Sequence, residues 1–222
     1  MKNEAIFRQG NGIRILFLFS FMLTALVAEK KMTPAEMESI ESKIEQRQAN
    51  TKTLQMNFTQ SVLPPGEKTP ILSQGILYYQ KPQNLRINYR DPAGEGLLLS
   101  STETIQWKKG GPLQLETNDP TRPSFRRIIL DVLEQKPSIW SNQFQRQMTA
   151  GDKTITVSLT PLDPQARLPD QVQVQLRSSD FQITSIEVRM KEFQWKALFS
   201  SIQVNLPLNS TLFQRPYFKD KR

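Results

Sequence analysis

The 222-residue sequence contains no cysteine and no histidine. Without cysteine the chain forms no disulfide and offers no thiol nucleophile or thiolate metal ligand. Without histidine it lacks the side chain that most often acts as a general base and binds transition metals. A P-loop and the patterns G-x-G-x-x-G and G-x-S-x-G are also missing. These absences argue against an enzyme and predict that the protein needs no cofactor and holds no metal.

Long apolar runs are equally scarce, and the single one stands at the N-terminus. A basic start, Met1–Arg14, precedes the uncharged run Ile15–Ala28, and charged residues follow at once. This arrangement is typical of a secretory signal peptide, with Ala28 the last residue removed. An uncleaved membrane anchor is the alternative, but the run has only 14 residues and a spanning helix needs about 20. We therefore expect residues 1–28 to be a signal peptide and residues 29–222 to form a single periplasmic domain.

The charge of the expected mature chain is moderate. Net charge falls from +8 to +6 on cleavage, because the removed segment holds three basic residues and one acid. A mildly basic protein suits anionic membrane surfaces or acidic partners, although it equally suits an ordinary solvated surface. The basic residues are scattered, which argues against nucleic-acid binding. The cleavage region has no cysteine to carry a lipid anchor, so we expect a soluble monomer.

A helix is predicted directly after the signal segment. Thr33 and Glu36 form a capping box around Pro34 at the first helical position. Met37, Ile40 and Ile44 then recur at helical spacing and give one narrow apolar stripe. This helix is expected to extend to about Ala49.

Strand patterns dominate the remainder of the chain. Apolar and polar residues alternate over the segments 54–59, 85–90, 154–159, 171–176, 186–191, 193–200 and 202–206. The segments 71–81, 96–100 and 104–108 are also predicted to be strands of the same meander. Gly75 and the phase slip at Ser200-Ser201 predict bulges. Ser124–Leu133 has helical spacing, and Trp140–Phe144 is expected to form a short helix or turn.

About ten strands in meander order cannot leave their apolar faces uncovered, and the helices are too few to cover a flat sheet. The fold class predicted is therefore α+β and mainly β. We expect a strongly curved, antiparallel, unclosed β-barrel whose mouth is covered by two to three helices. Such a shape leaves an apolar hollow. Leu85, Ile87 and Tyr89 alternate strictly with polar residues and are expected to line it, with a filled core as the alternative.

Several short patterns resemble one known family. Asn57-Phe58-Thr59-Gln60 follows the first helix, Gly75 opens a strand ending at Lys81-Pro82, and the strand Leu85–Tyr89 ends before Asp91-Pro92. Trp107 follows the next strands, and Asn205–Asn209 with Phe213 and Pro216 closes the pattern. Their order and spacing are similar to those of the outer-membrane lipoprotein carrier protein family, the LolA-like periplasmic lipoprotein chaperones.

The resemblance implies a half-barrel that binds acyl chains of lipoproteins or other lipids and ferries them toward the outer membrane. An inner-membrane transporter would be the donor and an outer-membrane receptor the acceptor. The lipid-binding residues expected on this basis are Phe58, Leu85, Ile87, Tyr89, Trp107, Phe193, Trp195 and Phe199. Lys81 stands where the family usually has an arginine that ties the lid to the barrel, and it is the expected lid contact. Lysine offers a point charge and no planar fork.

Alternative functions remain on the same fold. One is a regulatory module that senses lipid or lipoprotein, and another is a carrier dedicated to a glycolipid pathway. A carboxylate-based hydrolase would need two acids facing one cleft, whereas the acids here fall mostly on polar faces or in loops. The sequence therefore favours a carrier over an enzyme.

Overall fold

The computed structural model describes residues 29–100, 103–111, 114–117, 125–134, 142–166 and 168–214. The predicted signal peptide at residues 1–28 lies outside these ranges. Over the described part of the chain, twelve strands form one antiparallel sheet accompanied by two α-helices and a 3₁₀ turn. The strands are β1 Lys30–Lys31, β2 Thr53–Leu63, β3 Ile71–Gln80, β4 Asn84–Asp91, β5 Gly96–Leu99, β6 Glu103–Trp107, β7 Gln114–Thr117, β8 Phe144–Ala150, β9 Thr154–Pro161, β10 Gln171–Arg177, β11 Ile183–Met190 and β12 Phe193–Val204. The helices are α1 Pro34–Ala49 and α2 Phe125–Glu134, and the 3₁₀ turn is Ser210–Phe213.

The sheet is curved and does not close on itself. Its strand order is β1-β8-β9-β10-β11-β12-β2-β3-β4-β5-β6-β7, so β1 and β7 are the two edges. The pairing of β12 with β2 joins the C-terminal meander to the N-terminal one. The predicted fold class, a mainly β and unclosed antiparallel barrel, is confirmed.

Helix α1 begins as its capping box predicted. The Glu36 amide donates to Thr33 Oγ1 at 3.3 Å, and the Thr33 amide donates to Glu36 Oε2 at 2.8 Å. Pro34 occupies the first turn, where its missing N–H costs nothing. The helix ends at Ala49, also as predicted.

Both helices pack on one face of the sheet, which we call the inner face. Ile44 of α1 and Leu133 of α2 belong to the same hydrophobic cluster as the inward side chains of β2–β4 and β8–β12. An ion pair between Glu41 and Arg146 of β8 holds α1 in place. Arg47 adds a hydrogen bond of 2.9 Å to the carbonyl oxygen of Phe181, in the β10–β11 turn.

Two predicted bulges are present. The ladder between β3 and β4 shifts register between Gln74 and Gly75. The ladder between β12 and β2 shifts between Ser200 and Gln203, and Ser201 has a positive φ of 50°. The second shift returns Ile202 and Val204 to the inner face, where they pack against the core.

The short helix or turn predicted over Trp140–Phe144 is present only in part. Phe144 does not end a short helix or turn but begins β8, which pairs with β9. Residues 142–143 form a turn, and Trp140 lies outside the described residues. Strand β7 and the two-residue strand β1 were also not predicted.

Candidate functional site

Four neighbouring strands, β12, β2, β3 and β4, present a continuous uncharged surface on the inner face. Their registers place Phe58 opposite Phe199 and Gly75, and Gly75 opposite Tyr89. The inward positions of these strands are Leu54, Met56, Phe58, Gln60, Val62, Ile71, Ser73, Gly75, Leu77, Tyr79, Leu85, Ile87, Tyr89, Phe193, Trp195, Ala197, Phe199, Ile202 and Val204. None of them carries a charge, so the surface suits hydrocarbon.

This surface is sealed at one end and open at the other. Along β3 the exposed fraction is 0% at Tyr79 and 3% at Leu77, but 59% at Ile71. We call the two ends the helix end, where α1 precedes β2, and the hairpin end, where β2 turns into β3. At the helix end the strands are covered by α1 and α2, whereas toward the hairpin end apolar side chains remain open to solvent.

The predicted lipid-binding residues divide along this gradient. Leu85 and Phe199 are buried with the helices in the packed part of the inner face. Ile87, Tyr89 and Phe193 are only half-buried and pack against the edge of that core. They lie in the open half of the surface, where a ligand can reach them.

Phe58 and Trp195 form the floor of the open half. Phe58 is 4% exposed, and its ring meets the Tyr89 ring edge-on, with centroids 5.7 Å apart. A β-carbon at Gly75 would lie 2.9 Å from the Phe58 ring and 2.2 Å from the Asn88 carbonyl oxygen, so only glycine fits between them.

Polar side chains meet above this floor. Trp195 Nε1 donates to Gln60 Oε1 at 3.1 Å. Gln60 Nε2 donates to Ser73 Oγ at 3.1 Å and to the Tyr89 hydroxyl at 3.2 Å. We call these four residues the Gln60 cluster. Because Gln60, Ser73 and Tyr89 are half-buried, the cluster lies on an accessible surface and not in a closed core.

Trp107 lies apart from the other predicted lipid-binding residues. It belongs to a second cluster with Leu98 and Ile105, on the outer face of the sheet, which packs against Phe213 of the 3₁₀ turn. The Arg86 guanidinium stacks 5.0 Å from the centre of the Trp107 ring and donates to the Leu212 carbonyl oxygen at 2.8 Å. Burial lowers the pKa of Arg86. Trp107 therefore fastens the C-terminal segment to the sheet, and the structure does not bring it to the open surface.

Lys81 lies at the helix end and contacts α1. Its ammonium group donates to the carbonyl oxygen of Gln48, one residue before the helix ends. Gln48 in turn donates from Nε2 to the Leu133 carbonyl oxygen of α2 at 3.0 Å. These two hydrogen bonds thus connect Lys81 to α1 and α1 to α2.

A buried hydrogen bond also connects the helix end of β3 to α2. The Tyr79 hydroxyl donates to Glu134 Oε1 of α2 at 3.0 Å. Burial, together with the Glu134 carboxylate, raises the pKa of Tyr79 above its ordinary value, so the phenol stays protonated and remains a donor. This corner of the molecule therefore joins both helices to the end of β3.

A small pocket with a cavity volume of about 10 Å³, partly open to solvent, also lies at the helix end. Its lining includes Arg47, Leu54, Ile183 and Ile202. Sites for drug-sized molecules occupy about 300–1,000 Å³. This pocket is therefore too small for a long acyl chain, and the open half of the inner face is the better candidate site.

The sequence prediction missed four residues of the open half, namely Gln60, Val62, Ile71 and Ser73. Their positions follow from the β2–β3 register, which pairs Gln60 with Ser73 and Val62 with Ile71. The available signal was the continuation of the β2 alternation beyond Phe58, in which Gln60 is a polar residue at an inward position.

No helix within the described residues is long and apolar enough to cross a membrane. A family model described as outer membrane lipoprotein carrier protein LolA matches residues 49–216. No curated protein sequence matches the chain.

Several solved structures are similar to this chain at low sequence identity. The LolA superfamily protein NE2245 from Nitrosomonas europaea is 11% identical with a TM-score of 0.42, and the similarity covers 80% of this chain and 97% of that one. MucB is 9% identical with a TM-score of 0.50, over 82% of this chain and 63% of its own. LprF from Mycobacterium bovis is 11% identical with a TM-score of 0.40, over 79% and 95%.

Proposed function

Since the chain belongs to the outer membrane lipoprotein carrier family, we propose that it is a periplasmic carrier that holds acyl chains on its inner face. The cargo is a lipoprotein or another acylated lipid. An inner-membrane transporter supplies it and an outer-membrane receptor accepts it. The protein performs no chemistry on this cargo.

The observation that supports this proposal is the uncharged inner face of β12, β2, β3 and β4. Charged side chains on these strands point outward, as Arg86 and Lys196 do. The apolar surface passes from the buried Leu77 to the exposed Ile71 without interruption by charge. An acyl chain can therefore enter at the hairpin end and advance toward the helices without meeting an ion.

The energetics of acyl transport require such a surface. Burying one CH₂ group is worth about 0.8 kcal/mol, so exposing a sixteen-carbon chain to water costs on the order of 12 kcal/mol. Free diffusion of such cargo between membranes is negligible. A carrier that covers the chain removes most of this barrier, and a surface that is partly open also permits release.

The helices act as the lid in this proposal. Ile44 and Leu133 occupy the inner face that a fully inserted acyl chain would need. The connection from Lys81 to Gln48 and on to Leu133 would hold both helices in the closed, unloaded arrangement. Loading would then shift the helices and break this connection.

The test is to recover the protein with its natural cargo. The full chain is expressed in a Gram-negative bacterium, purified from the periplasmic fraction without detergent, and its extracted lipid is identified by mass spectrometry. The proposal predicts stoichiometric acyl lipid or lipoprotein.

The matched control is Ile87→Glu, which puts a carboxylate on the inner face and should emerge with much less lipid. Protein that carries no acyl lipid and also fails to bind an added acyl probe would overturn the proposal.

A further inference from the structure

The Gln60 cluster stands where the apolar surface changes from covered to open. On β2 the inward residues before it, Met56 and Phe58, are buried, and the inward residue after it, Val62, is half-buried. A polar residue on a hydrocarbon-binding surface is costly unless it is hydrogen-bonded. The Gln60 cluster is thus a polar site on this surface, at the position where the covered part of β2 gives way to the open part.

The orientation of the Gln60 amide follows from its partners. The Trp195 indole is a donor only, so it must face the Gln60 oxygen. Both amide hydrogens are then directed to oxygens, one to Ser73 and one to Tyr89. This assignment fixes the direction of these three hydrogen bonds of Gln60.

The Ser73 hydroxyl consequently accepts from Gln60 and keeps its own hydrogen for donation. Ser73 makes no other side-chain hydrogen bond among the residues that the structure describes. It is half-buried, directly opposite Gln60 on the neighbouring strand and two residues from the exposed Ile71. Its hydroxyl hydrogen is therefore available at the mouth of the open surface.

We infer that the Gln60 cluster recognises the ester carbonyl of an acyl lipid, with Ser73 as the donor. The carbonyl oxygen accepts the Ser73 hydroxyl hydrogen, and Gln60 is a positioning residue that holds that hydroxyl. The hydrocarbon then lies along Phe58 toward the helices, while the polar part of the lipid stays at the hairpin end. This inference rests on the proposed function, because it names the chemical class and the orientation of the cargo.

A matched pair of soluble lipids isolates the carbonyl. 1-Palmitoyl and 1-O-hexadecyl lysophosphatidylcholine share the headgroup and the chain length, but only the first has an ester carbonyl. Their affinities are measured by displacement of a fluorescent acyl probe from the full chain purified free of lipid. One net hydrogen bond predicts that the ester lipid binds about fivefold to tenfold more tightly.

Single substitutions test whether Ser73 and Gln60 cause the preference for the ester lipid. Ser73→Ala and Gln60→Met should each bind the two lipids equally, whereas Ser73→Thr, which keeps a hydroxyl, should retain the preference. Gln74→Met, at an exposed position on the outer face, is the control and should behave as wild type. Thermal unfolding of each variant shows that it is folded.

The outcomes separate the inference from the function on which it rests. Equal affinity of wild type for the two lipids overturns the carbonyl recognition and leaves the carrier intact. A preference that survives Ser73→Ala also overturns it, because the carbonyl is then recognised elsewhere. Failure of wild type to bind either lipid overturns both.

Discussion

Replacing Ile87 with glutamate should abolish most acyl binding while leaving the fold in place. Ile87 lies between Leu77 of β3 and Leu97 of β5 in the ladder and is half-buried. In the unloaded protein the new carboxylate can reach water, so we expect a loss of stability of about 1–2 kcal/mol, typical of single substitutions. In the loaded protein an acyl chain covers the same position.

The size of the binding defect follows from the acid–base chemistry of that carboxyl group. An unpaired buried carboxylate costs several kcal/mol, but the group avoids this cost by taking up a proton. Protonating a glutamate with an ordinary pKa of about 4.3 costs about 3.7 kcal/mol at pH 7 and about 1 kcal/mol at pH 5. The affinity should therefore fall by up to about 500-fold at pH 7 but only about fivefold at pH 5.

The assay is displacement of an uncharged fluorescent acyl probe at both pH values, with thermal unfolding followed by circular dichroism. Thr59→Glu, on the exposed outer face of β2, is the control and should bind within about twofold of wild type. A folded Ile87→Glu variant with wild-type affinity would show that Ile87 does not contact the bound acyl chain. Outright unfolding would also contradict the prediction, since Ile87 would then belong to a closed core.

Three further predictions concern the frame around the site. Gly75→Ala should destabilise the protein by about 1–3 kcal/mol, lowering Tm by roughly 3–10 °C, because the added carbon meets the Asn88 carbonyl; Gly111→Ala, whose nearest neighbour would be 3.6 Å away, should leave Tm unchanged in the same melting experiment. Lys81→Met should speed amide hydrogen exchange in the last turn of α1, whereas Lys81→Arg should keep it slow; equal exchange in the two variants would contradict the contact. Hydrogen bonds from Lys30 and Thr33 lower the pKa of Glu36 from 4.5 to about 2. The stability that the Glu36 carboxylate adds is therefore complete above pH 4.5 and is lost as pH falls toward 2. The Tm difference between wild type and Glu36→Gln should close over that range, and a difference that stays constant with pH would contradict the role of these hydrogen bonds.

The elements predicted correctly are those whose pattern is local. Thr33, Pro34 and Glu36 specify the start of α1 within four residues, and the alternation of Leu85, Ile87 and Tyr89 specifies β4. The bulge near Gly75 was likewise predictable from its residue type. In each case the residues that determine the element lie within a few positions of one another in the sequence.

The elements that were missed depend on contacts between distant segments. In β8 the inward position between Phe144 and Met148 is Arg146, which breaks the apolar alternation because it pairs with Glu41 of α1. That pairing spans 105 residues and leaves no trace in the local pattern. The four-residue strand β7 is too short to show a period.

The sequence also could not show on which face of the sheet each side chain lies. The neighbours Leu98 and Leu99 are both buried, because the helices cover one face of the sheet and the C-terminal segment covers the other. Where both faces are apolar, alternation cannot tell them apart. The family resemblance placed Trp107 among the lipid-binding residues, and no local pattern showed that it packs on the outer face with Phe213.

Photocrosslinking would locate the bound acyl chain on the protein. A palmitoyl lipid that carries a diazirine in its chain is bound to the full-length protein and irradiated, and the labelled residues are identified by mass spectrometry. We expect labels on the inner face between Gln60 and the helices, at Phe58, Ile87 and Tyr89. Leu72 and Leu198 on the outer face, with exposed fractions of 70% and 50%, are the natural sites of non-specific contact. Labels concentrated on those two leucines, with none on the inner face, would show that the acyl chain does not bind the inner face.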